Sequence, residues 1–222
     1  MAPSDTRTQI LDAAERLFAE GGFRGTSVRA ITDLAGANLA AVGYHFGSKA
    51  ELLAVVIRRV IEPITAAQGA GLDRLLAQAP DPLAAELVEA FAGPLFDAMR
   101  AGDEGGARTS RLIVTIFADP AEEMRSWTGP DQDTVRDRYL AAFGRALPSL
   151  STDELFFRMR GILAVTAVDR AEVYNRPLPA GLSPAAGEAA RRWAITFLAA
   201  AMSAPPSSQD LTTRDGRRSH TP

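Results

Sequence analysis

The stretch Ser27-Val28-Arg29-Ala30-Ile31-Thr32-Asp33-Leu34-Ala35-Gly36-Ala37-Asn38-Leu39-Ala40-Ala41-Val42-Gly43-Tyr44-His45-Phe46-Gly47-Ser48-Lys49 decides how this chain folds. Its apolar residues recur at three and four, the helical period. It divides into two helices, each under three turns long, separated by the tight turn Gly36-Ala37-Asn38. Thr26 or Ser27 caps the first, whose inner face is Val28, Ile31 and Leu34/Ala35, and the second runs from about Leu39 to Phe46. Helices this short cannot bury enough surface alone and need support from longer neighbours.

Both neighbours are present. Upstream, Thr6 or Thr8 caps a helix carrying Ile10, Ala14, Leu17 and Phe18 on one face, and Gly21-Gly22 stops it. Downstream, Ser48 caps a fourth helix, with Glu51 at its third position completing a capping box. That helix carries Leu52, Leu53, Val56, Val60 and Ile61 until Pro63 is expected to kink or end it. Two short helices held between longer ones, with a glycine turn, are the layout of a helix-turn-helix, whose second helix enters the DNA major groove. The periodicity turns Ile31, Ala35, Leu39, Val42 and Phe46 inward and leaves Asn38, Ala40, Ala41, Gly43, Tyr44 and His45 outward.

The outward set suits DNA. Ala40, Ala41 and Gly43 are small enough for close approach to base edges, the alanines can touch a thymine methyl, and Asn38 can hydrogen-bond a base or phosphate. Tyr44 and His45 offer polar tips to phosphates. Lys49 at the start of the fourth helix, and Thr26, Ser27 and Arg29 at the start of the second, stand where helix N-termini favour an anion. These are the expected DNA-binding residues; phosphate contacts position such a module and base contacts specify.

The run from Ile10 to Leu53, with Ala13-Ala14, Leu17-Phe18, Gly21-Gly22-Phe23, Thr26-Ser27, Ile31, Ala35-Gly36 and above all Tyr44-His45-Phe46-Gly47-Ser48-Lys49-Ala50-Glu51-Leu52-Leu53, resembles the DNA-binding domain of the TetR family of bacterial transcriptional regulators. The resemblance covers about 50 residues. It implies an all-α protomer with an N-terminal three-helix DNA-binding domain and a larger C-terminal ligand-binding and dimerisation domain. It further implies a homodimer on double-stranded DNA with a palindromic operator, in most members a repressor released by a small-molecule effector. Gly43 departs from the family pattern, where many members carry tyrosine or asparagine.

Composition narrows the alternatives. The 222 residues carry 24 Lys and Arg against 27 Asp and Glu, a formal net charge of −3, and no cysteine. Disulfides, thiolate metal sites and a cysteine nucleophile are excluded. His45 and His220 are the only histidines, so a site built on several is impossible. Residues 1–60 hold seven basic and six acidic side chains, a mildly basic segment attached to an acidic remainder. A nucleoid-type binder would be basic throughout. An enzyme would need an arranged constellation. Gly22-Phe23-Arg24-Gly25 and the glycines from Gly102 to Gly106 lack the Gly-Lys-Ser/Thr of a phosphate loop, and nothing arranges Asp103/Glu104 or Glu122/Glu123. No catalytic residue, metal or cofactor is expected. No uncharged apolar run approaches the ~20 residues that span a membrane, and the N-terminus lacks a signal-peptide layout; a cytoplasmic protein is the expectation.

The expected domains are residues 1–50 for DNA binding and 51–202 for regulation and dimerisation (51–62 a connecting helix), with 203–222 a disordered tail. A linker is expected around Gly69-Ala70-Gly71 and Pro80-Asp81-Pro82. Helices are expected near 83–100, 107–117, 131–147, 151–175 and 184–202, with a short one from Asp119-Pro120. Candidate effector-pocket residues are Phe91, Leu95, Met99, Leu112, Ile113, Ile116, Phe117, Trp127, Phe143 and Met159, with Arg108 and Arg111 as forked donors to an acidic group. The last two long helices carry Leu155, Met159, Ile162, Leu163, Thr166, Trp193, Phe197 and Ala200, the expected dimer face of a four-helix bundle.

Overall fold

A computed structural model describes residues 3–99, 104–118, 130–170 and 187–206. The described residues form helices throughout: α1 (Pro3–Gly25), α2 (Val28–Ala35), α3 (Ala40–Phe46), α4 (Lys49–Gln78), α5 (Ala84–Ala98), α6 (Glu104–Ala118), α7 (Pro130–Ala146), α8 (Thr152–Arg170) and α9 (Gly187–Ser203). The all-α expectation holds. The expected short helix from Asp119 and the loop before the last helix lie outside the described residues.

The N-terminal head is built on α1. Its residues Ile10, Ala14 and Phe18 meet Ile31 of α2, Val42 and Phe46 of α3, and Leu52, Leu53, Val56 and Ile57 of α4 in one buried cluster. At Gly22 the chain turns through a positive φ of 64°, where the sequence places the stop. Glycine takes this left-handed conformation without a Cβ penalty. The same cluster takes in Leu112 and Ile116 of α6, so a helix of the body completes the core of the head. Polar contacts reinforce that joint. The Thr115 hydroxyl donates to the Ala19 carbonyl at 3.4 Å. Glu15 of α1 stands between Arg59 of α4 and Arg108 of α6, 3.8 Å from each.

The body has its own core, in which Leu72 of α4, Leu87, Val88 and Phe91 of α5, Tyr139 and Phe143 of α7, Leu155, Met159 and Ile162 of α8, and Leu198 and Met202 of α9 are buried together. Two hydrogen bonds run through it: the Gln68 side-chain amide donates to the Phe91 carbonyl at 2.7 Å, and the Tyr139 hydroxyl donates to the Gln68 carbonyl at 2.9 Å. Burial pushes the Tyr139 phenol well above the ordinary tyrosine range, although Arg138 and Arg74 pull the other way. As pH rises the unfolded chain ionises first, so alkali removes stability from this core. A third cluster, Ile64, Leu95, Met99 and Ile113, joins α4, α5 and α6 between the other two.

Some expectations are corrected. Of the two outcomes expected at Pro63, a kink or an end, the end does not occur: α4 continues through it to Gln78, with Ile57 before the proline and Ile64 after it both buried. Gly69-Ala70-Gly71 is not a linker but part of α4. A Cβ on Gly69 would stand 3.5 Å from Val135 of α7, and one on Gly71 would stand 3.4 Å from the Ala90 carbonyl of α5. A Cβ at either place would make ordinary van der Waals contact, so both positions pack inside the body, and α4, at about 45 Å long, passes from head to body as one helix. An open cleft of about 740 Å³ lies along α4 and α5, and its lining includes Ile64, Leu75, Ala90, Pro94, Arg74 and Arg191 of α9. The expected tail is also altered at its start. Ser203 still belongs to α9, and the Arg158 guanidinium donates to the carbonyls of Ala204 and Pro205; residues 207–222 lie outside the described set.

The joint makes a testable demand. Leu112→Ala lowers the unfolding free energy by about 2–5 kcal/mol and loosens the head, although Leu112 lies far from it in sequence. Urea denaturation followed by circular dichroism measures this; a loss below about 1 kcal/mol would exclude α6 from the head's core.

Candidate nucleic-acid interface

The α2–turn–α3 unit is fixed by local hydrogen bonds. Ser27 Oγ accepts from the Ala30 N–H at 3.1 Å and so caps α2. Gly36, with φ 62°, closes α2, and the Ala37 N–H donates to the Thr32 carbonyl at 2.9 Å. A left-handed residue at this place requires glycine or a close substitute. Asn38 Oδ1 accepts from the Ala40 N–H at 2.9 Å, which starts α3. Ser48 Oγ accepts from the Glu51 N–H at 3.1 Å, as the sequence anticipates for α4. Val42 and Phe46 pack α3 against α1 and α4.

The outward face of α3 comes out as Ala40, Gly43 and Tyr44, spaced at three and four, with Tyr44 85% exposed. Asn38 and Arg29 are exposed beside it, Arg29 only loosely paired with Asp33 at 3.9 Å. Ser27 is exposed as well. These six expected DNA-facing residues share the surface of one small unit. Ala41 and His45 are half-buried, at the flanks of α3. The His45 ring stacks edgewise between Tyr44, at 4.9 Å, and Phe46, at 6.2 Å.

Two residues are placed differently from the expectation. Thr26 is only 4% exposed, and its hydroxyl donates to the Leu17 carbonyl at 2.9 Å. It ties the α1–α2 connection to α1 rather than facing outward. Lys49 is half-buried. Its ammonium donates to the carbonyls of Phe23, at 2.9 Å, and Thr26, at 3.0 Å, and lies 4.0 Å over the Phe23 ring. The cation therefore satisfies carbonyls left over where α1 ends, and only its remaining N–H can reach a phosphate. Two residues outside the expected set also belong to this surface. Leu39, expected inward, is 57% exposed. Arg7 of α1 is exposed and lies 5.1 Å over the Phe46 ring at the end of α3. Period counting puts Leu39 with Val42 and Phe46, but Leu39 is the N-cap of α3 and its side chain stays outside the cluster that those two residues join. No sequence signal marks Arg7, since its pairing with Phe46 spans the whole head.

Lys49→Met keeps the aliphatic stem and removes the charge-assisted donors. It costs about 1.5–3 kcal/mol of stability in the absence of DNA, measured by denaturant titration. Unchanged stability with a shallower salt dependence of DNA binding would return Lys49 to a simple phosphate contact.

A family model described as "Bacterial regulatory proteins, tetR family" matches residues 10–56, and one described as "Tetracyclin repressor-like, C-terminal domain" matches residues 89–201. Among curated relatives, the HTH-type transcriptional repressor AcnR of Corynebacterium glutamicum is 38% identical over 56 residues, 25% of this chain and 30% of that one. The HTH-type transcriptional repressor KstR2 of Rhodococcus jostii is 39% identical over 61 residues, 28% of this chain and 30% of that one. These matches span about a third of the relatives' length. Among solved structures, the TetR family transcriptional regulator PfmR from Thermus thermophilus aligns with a TM-score of 0.58 at 20% identity, covering 88% of this chain and 95% of that one. At that identity the likeness concerns the fold alone. With one family model covering half of the chain and the other covering its helix-turn-helix, the chain belongs to the TetR family of transcriptional regulators.

Proposed function

We propose that this regulator is a repressor that binds a palindromic operator as a homodimer and leaves it when a small molecule enters its C-terminal domain. It acts as a cytoplasmic binding protein and not as an enzyme. The observation that carries the reading is the capped α2–α3 unit, whose outward face of Asn38, Ala40, Gly43 and Tyr44 is small at its centre and polar at its edges. Such a face fits closely against base edges. Arg7, Arg29, Ser27 and the tip of Tyr44 stand where phosphates flank the groove.

A palindrome requires two heads about one DNA turn (~34 Å) or a multiple apart, and the body supplies a surface for pairing. Leu155, Met159, Ile162 and Thr166, expected at the two-fold interface, are buried within their own domain, and Leu163 packs half-buried on the same core. The opposite face of α8 carries exposed Phe157, Ala164 and Val165, and α9 carries exposed Trp193, Phe197 and Ala200. Large aromatics left open on two long helices are the signature of a surface covered by association. The dimer of this reading pairs those faces.

The effector site of this reading is the α4–α5 cleft. The pocket residues expected from sequence are placed elsewhere. Phe91, Phe143 and Met159 fill the body core, Leu95, Met99 and Ile113 the middle cluster, and Leu112 and Ile116 the head core. Arg108 faces Glu15, Arg111 is exposed, and the side chains of Phe117 and Trp127 lie outside the described residues. A ligand that wedges α4 from α5 tilts the helix that carries the head, which alters the separation of two recognition helices.

Selection of bound duplexes from a random pool tests the whole reading. The expected product is an inverted repeat with half-sites one or two turns apart, and its enrichment falls when the effector is present. Phe197→Asp should give a monomer in sedimentation with unchanged helix content and an operator affinity at least tenfold weaker. A variant that stays dimeric would place the interface elsewhere, and enrichment of no sequence would refute operator binding.

A further inference from the structure

Glycine and proline are the two residues that least favour a helix, yet α5 carries them side by side, as Gly93 and Pro94, in the wall of the α4–α5 cleft. The neighbour of Gly93 is on α9. A Cβ on Gly93 would stand 2.8 Å from Arg191 Nη2, so any other residue would push that guanidinium aside. Arg191 also lines the cleft. Its Nη2 is paired with Oε1 of Glu89, one turn before Gly93. Its Nε is buried and has no acceptor among the described residues. A buried donor without a partner is costly, and here it belongs to a cation in the wall of a cleft.

The other charges of the cleft are committed unequally. Glu86 accepts from the Leu83 N–H at 2.8 Å, and Asp97 is engaged as well. Arg74 is exposed and, among the described residues, is in no ion pair. The carboxylates are therefore occupied while the two cations keep donors to spare. Between them the lining is apolar, with Ile64, Ala67, Leu75 and Pro94.

We infer that the cleft takes an amphiphilic carboxylate, with its apolar body against that lining and its head on Arg191, in the place Glu89 occupies. The inference rests on the cleft being the effector site and names the chemistry of that site. A guanidinium offers two parallel N–H donors to one planar carboxylate, and Arg191 pairs with Glu89 through Nη2 while Nε stays unpaired. The Glu89 side chain is 41% exposed, so it can turn to water when another carboxylate arrives and takes both donors. A cationic ligand would draw Glu89 away and leave Arg191 without its counter-charge, a partly buried charge stripped of its partner. A neutral ligand would leave Nε as it is.

Titration calorimetry of the intact chain with decanoate, decanol and decyltrimethylammonium, each below its micelle concentration, tests this. Decanoate should bind about tenfold or more tightly than decanol, the worth of a charge-assisted hydrogen bond, and the ammonium most weakly. Arg191→Met should bring decanoate down to the level of decanol and leave decanol unchanged. Glu89→Gln removes the internal competitor and should tighten decanoate about two- to fivefold, the worth of a partly exposed ion pair; a site for cations would respond with the opposite sign. Ala67 is exposed and lines the cleft, so Ala67→Trp fills the cleft without entering a core and should abolish binding of all three. Circular dichroism checks that each variant keeps its helix content. If Ala67→Trp abolishes binding but decanol or the ammonium matches decanoate, or Glu89→Gln fails to tighten it, the carboxylate is overturned and the cleft stands as the effector site. If no compound binds, or Ala67→Trp leaves binding intact, the cleft reading falls and the ligand class with it.

Discussion

Everything in this molecule depends on α4 being one helix. Its first turns close the core of the head through Leu52, Leu53, Val56 and Ile57, and its last turns enter the core of the body through Leu72. A helix broken at Pro63 would leave the two cores joined by a hinge, and the position of the head would be set by chance. Instead the helix runs on through the proline, and Ile64, one residue beyond it, is buried with Leu95, Met99 and Ile113. α6 provides a second connection, with Ile113 in the middle cluster and Leu112 and Ile116 in the head. Two connections at different points on the head restrain rotation as well as translation. Glu15, shared between arginines of α4 and α6, stands where both meet α1.

The head shows how closely stability and recognition compete for the same few residues. Thr26 and Lys49 have the chemistry of phosphate ligands, yet the first is turned to Leu17 and the second to Phe23 and Thr26. Both satisfy carbonyls near the end of α1, where the chain leaves the helix at Gly22. A buried carbonyl without a donor costs more than a solvated cation gains from one exposed phosphate, so the local need prevails. What remains for DNA is correspondingly weak in charge, with the first sixty residues nearly balanced.

Much of this was legible in the sequence. The capping residues Ser27 and Ser48, the stop at Gly22 and the closure of α2 at Gly36 follow from local chemistry that acts within a few residues. The outward positions Ala40, Gly43 and Tyr44 follow from the helical period. Several placements that the sequence does not give depend on partners distant in the chain. Gly69 and Gly71 look like linker residues until Val135 and Ala90 are placed against them. Leu112 and Ile116 look like pocket lining because nothing in a sequence pattern says that their neighbours are Ala14 and Phe18 rather than Phe91. On α8, apolar residues surround the helix, so the period cannot tell Leu155 and Met159, which face the domain's own core, from Phe157 and Val165, which do not.

A nearly neutral head has a consequence for how specificity arises. Non-specific affinity for DNA comes almost wholly from counterions released by basic side chains; in this head Arg29 is loosely engaged by Asp33, Arg59 is engaged by Asp12 and Lys49 faces inward, while Arg7 and Arg24 are exposed. A head so nearly balanced in charge has only a modest share of that affinity to offer alone. In the proposed dimer, two heads on one body would change this, because once the first is seated the second would bind at an effective concentration set by geometry. That gain would be available only when the spacing matches, so under the same proposal a tilt of α4 would remove it without disturbing a base contact, and control would pass to the helix that sets the distance between the heads.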